Sequence, residues 1–410
     1  MKSELVFTQM KSTLITKLEE SMEMQKDGTA KKQVLEELEN RLKGDFTFES
    51  GKIIGSMCTL PHSYAQKVYA QFMDRNLGDA GLFPAVAQLE KEVILMLGSL
   101  LSNAKASGHV VTGGTEANLL ALWASKRISK KENGEVIVPV SAHCSFDKAA
   151  DLLGLKLVKV GLNSKFQVDV EAVEKAVNQR TIAVVGVAGT TGLGVVDPIA
   201  ELSEIVVEKG LYFHVDAAFG GFVLPFLKEL GYNVSQFDFS LEGVSSITVD
   251  PHKMGLAPIP AGGILFRDEK VENAIAWNVS YLAGGETQQA TLVGTRSGAS
   301  VIAVWALLKH LGVEGYAKIV KRCMHLTFKL AREIPKIKGL DIVVEPTVNV
   351  VGLKSETFDI GLVAKELRLR KWAVSLFPKH IRVVVMPHIR KSHIDSFLTD
   401  LREISKKLGG

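Results

Sequence analysis

From Gly108 onward the chain alternates helical stretches with six short β-rich runs, at 136–140, 155–160, 181–188, 211–215, 246–249 and 263–266. Alternation of this kind predicts an open α/β sheet, largely parallel. In such sheets ligands bind outside the carboxyl ends of the strands, so the residues that follow each run are the most informative. They are Ser141-Ala142-His143, Gly189-Thr190-Thr191-Gly192, Asp216, and Asp250-Pro251-His252-Lys253. Each run delivers a polar or ionisable group to one edge.

The flanking regions read differently. Residues 1–43 carry apolar residues at helical spacing with a break at Asp27-Gly28, which fits an oligomerisation arm or a solvated helical extension. Near Gly51 a stretch punctuated by glycine and proline reads as a wrapping segment. After Gly298 a helix over 299–311 leads to a second, smaller α/β unit with strands at 341–353 and 381–386 and helices near 359–371 and 394–408. Ser392 and Asp395 have capping-box spacing, and Ile394, Phe397, Leu398, Leu401, Ile404 and Leu408 form an apolar stripe behind them. The expected division is a helical and wrapping segment over 1–65, a large α/β domain over 66–290 and a small C-terminal α/β domain over 291–410.

Composition narrows the functional classes. With 49 Lys+Arg against 45 Asp+Glu the net charge is only +4, and no long basic run accompanies it, so nucleic acid is not the expected partner. Cys58, Cys144 and Cys323 form no CxxC pair for zinc or a redox dithiol, which fits a reducing, cytoplasmic setting. The densest apolar run, 93–101, is broken by Gly98 and Ser99 and is far short of the roughly 20 residues of a membrane span. No membrane partner and no exported form are expected.

Lys253 and Asp216 both stand at strand ends, and one cofactor requires both. Pyridoxal 5′-phosphate condenses with a lysine amine, and a carboxylate keeps its ring nitrogen protonated so that the ring accepts electrons. Either residue alone is weak evidence, since a strand-end Asp is often a helix cap and a lysine is usually a solvated charge. The phosphate needs a cradle, and Gly113-Gly114-Thr115-Glu116-Ala117-Asn118, followed by Leu119, Leu120, Leu122 and Trp123, offers flexible backbone at a helix start. His252 could reach the same phosphate. His143 is either a platform for the ring or a hydrogen-bonded core residue.

The specific signal is the conjunction of GGTEAN, SAH, GTTG, HVDAAFGG and DPHKMG in that order at those strand ends. In these motifs the sequence resembles the group II pyridoxal-phosphate-dependent amino-acid decarboxylases of fold type I, over about residues 38–408. It is most similar to the archaeal aspartate/tyrosine decarboxylases, through GKIIGSMCTLPH (51–62), RNLGDAGLFP (75–84) and VDPHKMGLAPIPAGGILF (249–266). The resemblance implies that Lys253 holds the cofactor, Asp216 pairs with the ring nitrogen and His143 stacks on the ring. It further implies that Gly114, Thr115 and His252 contact phosphate, that Thr191 lies near the phenolic oxygen, that Ala218 belongs to the cofactor set, and that Arg382 holds the substrate α-carboxylate. A homodimer acting on a small amino acid follows from the same likeness.

One position departs from many group members, which carry Asn where this chain has Asp250. A carboxylate aimed at phosphate would be repelled, so Asp250 is left out of the phosphate set. Sphingosine phosphate lyases share that Asp and resemble the chain at 142–160 and 294–298, which makes a carbon–carbon lyase the rival reading. A catalytically silent scaffold is disfavoured because no motif residue is missing. The favoured reaction is L-aspartate to β-alanine, a coenzyme A precursor, ahead of L-tyrosine or L-glutamate decarboxylation. A second substrate carboxylate needs a second cation once desolvated, and Arg296 and His62 are the candidates, with a structural ion pair as the alternative for Arg296. Tyrosine would instead need an apolar slot, for which Phe83 and Tyr281 are candidates.

Overall fold

The computed structural model describes residues 24–409. Up to Phe46 the chain is a unit of its own. It contains one described helix, Lys31–Leu42, all of whose residues are exposed, preceded by non-helical residues around the expected Asp27-Gly28 break. The helical extension expected before that break lies outside the described residues as far as residue 23.

From Thr47 onward the chain is a second compact unit that contains two main sheets. The large sheet has seven strands: β1 (Ser107–Val111), β2 (Glu135–Pro139), β3 (Lys156–Val160), β4 (Thr181–Val187), β5 (Tyr212–Asp216), β6 (Val244–Val249) and β7 (Gly262–Phe266), in the order β1-β7-β6-β5-β4-β2-β3. All pairings are parallel except those made by β7, which runs against both of its neighbours. The expectation of a largely parallel α/β sheet is met.

The central strands are buried from end to end, as parallel strands covered on both faces must be. Alternate residues serve opposite cores. Ile137, Val184, Phe213 and Ile247 join one apolar cluster with Ile199, Leu202 and Val206 of helix Ile199–Lys209, whereas Val136, Val138, Ala183, Val185 and Tyr212 join another with helix Gly114–Ser129. Strand β1 was not expected. Its sequence, SGHVV, carries a serine, a glycine and a histidine in five residues, and its pairing with β7 rather than its own composition makes it a strand.

After a short exposed hairpin of β8 (Trp277–Leu282) and β9 (Gly285–Gln289), helix Gly298–Glu333 breaks its helical geometry at Gly312, just beyond the expected end at residue 311. The small sheet is antiparallel, with β10 (Asp341–Ile342), β11 (Val350–Lys354), β12 (Ser375–Phe377) and β13 (His380–Val384) in the order β10-β11-β13-β12. The single strand expected over 341–353 is thus two strands, because the Glu345-Pro346 segment interrupts the ladder. Helices Ile360–Leu369 and Lys391–Gly409 bury their apolar stripes against this sheet. The expected Ser392–Asp395 capping box does not form: Asp395 is drawn to Lys329 and Lys391, and the Arg390 N–H donates instead to His393 Nδ1 at 3.2 Å. The wrapping segment is fastened here, with Gly55 N–H donating to Ala373 O (2.8 Å) and Val384 N–H to Ile54 O (2.7 Å).

Candidate active site

A cleft of about 350 Å³ opens at the carboxyl ends of β4, β5 and β6. Its floor is the start of helix Gly114–Ser129, which has no side-chain cap. The first backbone N–H groups of a helix have no partner within it and, with the helix dipole, favour an anion. Glycine is required here by close approach. A Cβ on Gly114 would stand 2.9 Å from Asp250 Oδ2, one on Gly113 would stand 3.0 Å from His252 Cε1, and one on Gly262 would stand 2.4 Å from Gly113 Cα. Glu116 closes the turn by accepting from the N–H and hydroxyl of Thr112 at 2.8 and 2.7 Å.

Gly114, Thr115, His143, Thr191, Asp216, Ala218, His252 and Lys253, the whole cofactor set expected from sequence, line this one cleft. Lys253 Nζ forms an ion pair with Asp250 Oδ2 at 3.0 Å. Burial alone would depress the lysine, but the Asp250 and Asp216 carboxylates outweigh it and hold its pKa above the ordinary value. His252 Nδ1 accepts from the Ala261 N–H at 3.1 Å, so a neutral ring carries its proton on Nε2. Burial pushes the pKa of His252 down, and that of His143 likewise. His143 Nδ1 accepts from the Ser145 N–H at 3.2 Å, which leaves its Nε2 as the donor.

Asp216 is the last residue of β5 and is buried. Its Oδ1 accepts from the Ala218 N–H (3.1 Å) and its Oδ2 from Asn118 Nδ2 (3.0 Å), so each carboxylate oxygen is held by a donor. Asn118 was read only as part of the glycine-rich segment, and no local pattern marks its tie to a residue 98 positions away. Asp250, set aside from the phosphate set, also lines the cleft. Its Oδ1 is buried without a partner among the described residues.

Thr191 sits on a rim whose turn begins at Gly189, which adopts φ +100° and packs where a Cβ would meet Gly220 N at 3.1 Å. Buried Asp197 braces the turn by accepting from the N–H groups of Val168 and Val187, both at 2.8 Å. Arg382 stands behind this rim. Its Nη1 donates to Thr191 O (2.8 Å) and its Nη2 to Gly55 O (2.6 Å) and Ser375 Oγ (3.1 Å), while Nε is buried without a partner. It does not itself line the cleft.

The other two expected substrate residues are not brought to the cleft either. Arg296 donates to Glu90 Oε2 (3.1 Å) and Val110 O (2.9 Å), clamping helix Pro84–Leu100 to β1 along a different cavity, so the ion-pair alternative is the one realised. His62 caps helix Ser63–Gln71 through Tyr64 N–H to Nδ1 (3.2 Å) and lies in a shallow groove with Leu60 and Leu256. Residue type near a motif suggests both, and each is committed to a structural bond instead, His62 within its own helix start and Arg296 to a distant helix and strand.

The cleft fits pyridoxal 5′-phosphate on its own chemistry. It combines an uncapped helix start that no side chain can fill, a buried carboxylate with lone pairs to spare, and a lysine amine, all in one enclosure. Lys253, Asp216, His143, His252 and the Gly113–Gly114 backbone could hold it.

The family model of the pyridoxal-dependent decarboxylase conserved domain matches residues 17–355. An L-aspartate decarboxylase of Thermococcus kodakarensis is 52% identical over 381 residues, 93% of this chain and 99% of that one. A probable L-tyrosine/L-aspartate decarboxylase of Methanothermobacter thermautotrophicus is 51% identical over 360 residues, 87% of this chain and 98% of that one. Among solved structures, a sphingosine-1-phosphate lyase of Burkholderia pseudomallei superposes with a TM-score of 0.87 at 31% identity, over 94% of this chain and 92% of the other.

Proposed function

The chain belongs to the pyridoxal-dependent decarboxylase family, and from that premise we propose that it converts L-aspartate to β-alanine and carbon dioxide. The class is that of a pyridoxal-phosphate-dependent amino-acid decarboxylase. The substrate assignment is carried by the identity with the Thermococcus L-aspartate decarboxylase across nearly the whole of both chains. It draws no support from Arg296 or His62. The likeness to the lyase is lower by about twenty percentage points of identity, which favours loss of carbon dioxide over carbon–carbon cleavage of a phosphorylated chain.

When bound, pyridoxal 5′-phosphate supplies an attachment point for amines and a ring that takes up the electron pair left by departing carbon dioxide. Lys253 would be its covalent anchor and would also serve as the group that delivers a proton to Cα. Asp250 supports this by keeping a proton on Nζ. Asp216 is assigned to hold a proton at the ring nitrogen, and the Gly113–Gly114 backbone, Thr115 and His252 Nε2–H to bind phosphate. His143 covers the ring, and Thr191 and Ala218 complete the wall. Arg382, which stands behind the Thr191 rim, keeps its assignment to the substrate α-carboxylate from the family resemblance alone, where it would orient the bond that breaks.

We further infer a homodimer working in the cytoplasm and supplying β-alanine for coenzyme A synthesis. Light scattering on the loaded enzyme tests the dimer. For the reaction, carbon dioxide release from L-aspartate, L-glutamate and L-tyrosine is compared. L-Aspartate is expected to give the highest kcat/KM. A value for L-tyrosine about tenfold or more above it would move the assignment to tyramine formation, as the Methanothermobacter relative suggests. No release from any amino acid, with cleavage of a phosphorylated amino alcohol, would establish the lyase reading.

A further inference from the structure

Behind Asp216 lies a hydrogen-bond chain that the reaction scheme above does not use. Strand register sets His214 opposite Ser246 and Asp216 opposite Thr248 on neighbouring β5 and β6, and Asn118 of helix Gly114–Ser129 lies against all but the serine. His214, Ser246 and Thr248 are fully buried and Asn118 nearly so. Tyr212 Oη lies 2.8 Å from Ser246 Oγ, Ser246 Oγ 2.8 Å from His214 Nδ1, His214 Nε2 3.0 Å from Asn118 Oδ1, and Asn118 Nδ2 3.0 Å from Asp216 Oδ2.

The carboxylate at its end sets the direction of the chain. A carboxylate only accepts, so the amide nitrogen of Asn118 must face Asp216, and its second N–H goes to Ser145 Oγ at 2.9 Å. Its carbonyl then accepts from Thr248 Oγ1 (2.7 Å) and from His214, which must carry its proton on Nε2. His214 Nδ1 is left as an acceptor for the Ser246 hydroxyl, whose oxygen accepts in turn from Tyr212. From Tyr212 to Asn118 one donor of each residue points along the chain toward Asp216. Burial drives the His214 pKa down to about 4 although Asp216 acts to raise it, so the ring is neutral and the directions are stable at ordinary pH.

We propose that Asn118, oriented by neutral His214, is a positioning residue that fixes the Asp216 carboxylate so that it keeps the ring nitrogen of bound pyridoxal 5′-phosphate protonated. The inference rests on the decarboxylase reading of the cleft. Without Asn118, Asp216 keeps only the Ala218 N–H, can rotate, and is a poorer partner for a ring N–H. A buried network with a purely structural role would alter stability and leave the protonation of the ring nitrogen untouched.

The test loads the wild type, Asn118→Leu, His214→Leu and His214→Gln with cofactor labelled with ¹⁵N in the ring and follows its chemical shift against pH without substrate. Glutamine can present an amide N–H close to where Nε2 stood, so His214→Gln is expected to keep the protonated signal of the wild type. Asn118→Leu and His214→Leu are expected to move toward the unprotonated signal, to retain bound cofactor, and to lose roughly 10- to 100-fold in kcat, the range seen when groups behind a metal ligand are removed. If Asn118→Leu does not fold, the His214→Leu and His214→Gln pair decides alone. Leucine variants with the wild-type signal across the pH range overturn the positioning role and leave the decarboxylase reading standing. A wild-type protein that takes up no cofactor overturns both.

Discussion

Lys253 Nζ lies 3.0 Å from Asp250 Oδ2, whose companion oxygen is buried without a partner among the described residues. A lysine attacks an aldehyde only as the neutral amine, yet Asp250 and Asp216 together raise its pKa against the effect of burial. The nucleophile is held as an ammonium by the residue three positions before it.

Cofactor capture should therefore be pH-dependent. Cofactor-free enzyme mixed with pyridoxal 5′-phosphate is expected to develop its visible absorbance faster as pH rises, and Asp250→Asn should shift that rise to lower pH. Asp216, His143, His252 and Cys58 also bear on this region, and the substitution leaves them in place. Stopped-flow traces with one and the same pH profile for both proteins would refute the role of Asp250.

Lys253→Ala should fold, bind cofactor weakly and show neither the visible absorbance of a lysine-bound aldehyde nor turnover. Absorption spectra and a carbon dioxide assay check this. Retention of both would remove Lys253 from the centre of the reaction.

Asp216→Asn should cost much more activity than cofactor. The amide loses the charge that stabilises a protonated ring nitrogen, while the phosphate cradle at Gly113–Gly114 is unchanged. A drop in kcat of about 100-fold or more with cofactor content near that of wild type is the expected pattern. Equal losses in both would point to a structural role.

The residues that were legible in the sequence are those whose function is local. Asp216 and Lys253 each end a β run, and HVDAA and DPHK announce themselves within a few positions. Asn118 was hidden because its partners lie 96, 98 and 130 residues away, so only the folded register reveals them. Arg296 misled for the same reason in reverse. Its position in GTRSG suggested a ligand, but its carboxylate partner Glu90 is 206 residues upstream. Strand β1 escaped because pairing, not composition, defines it, and the capping box at Ser392 failed because Lys329, from another helix, competes for Asp395.

Arg296→Leu should leave the KM for L-aspartate unchanged and destabilise the protein. Removing the guanidinium leaves the buried Glu90 carboxylate to His109 and the Val110 N–H, at a cost of up to about 3 kcal/mol. Thermal unfolding and steady-state kinetics separate the two effects, and a selective rise in the KM for L-aspartate at unchanged stability would return Arg296 to the substrate site.

The same cluster gives stability a pH window. His109 pairs with Glu272 at 2.8 Å and lies 3.5 Å from Glu90. Although its burial acts in the opposite sense, these carboxylates raise its pKa from an ordinary 6.5 to about 9. Its stabilisation is complete below about pH 6.5 and is lost as pH rises through 9. Glu90 works in the other direction. Despite burial, His109 and Arg296 lower it from 4.5 to about 2, so its stabilisation is present above 4.5 and fades as pH falls through 2. Unfolding temperatures of the wild type should fall between pH 6.5 and 9, and His109→Gln should flatten that slope; parallel slopes would contradict the assignment.

Arg382 joins three stretches of chain through one guanidinium: the Thr191 carbonyl on the cleft rim, the Gly55 carbonyl of the wrapping segment and the Ser375 hydroxyl at the edge of the small sheet. The rim is thereby bound to a different sheet. Fraying of the small sheet and exposure of the cleft become a single cooperative opening, so amides near Thr191 and those of β12 should exchange with solvent at one common rate, and the two rates should part when Arg382 is replaced by a lysine that can reach only one of the three.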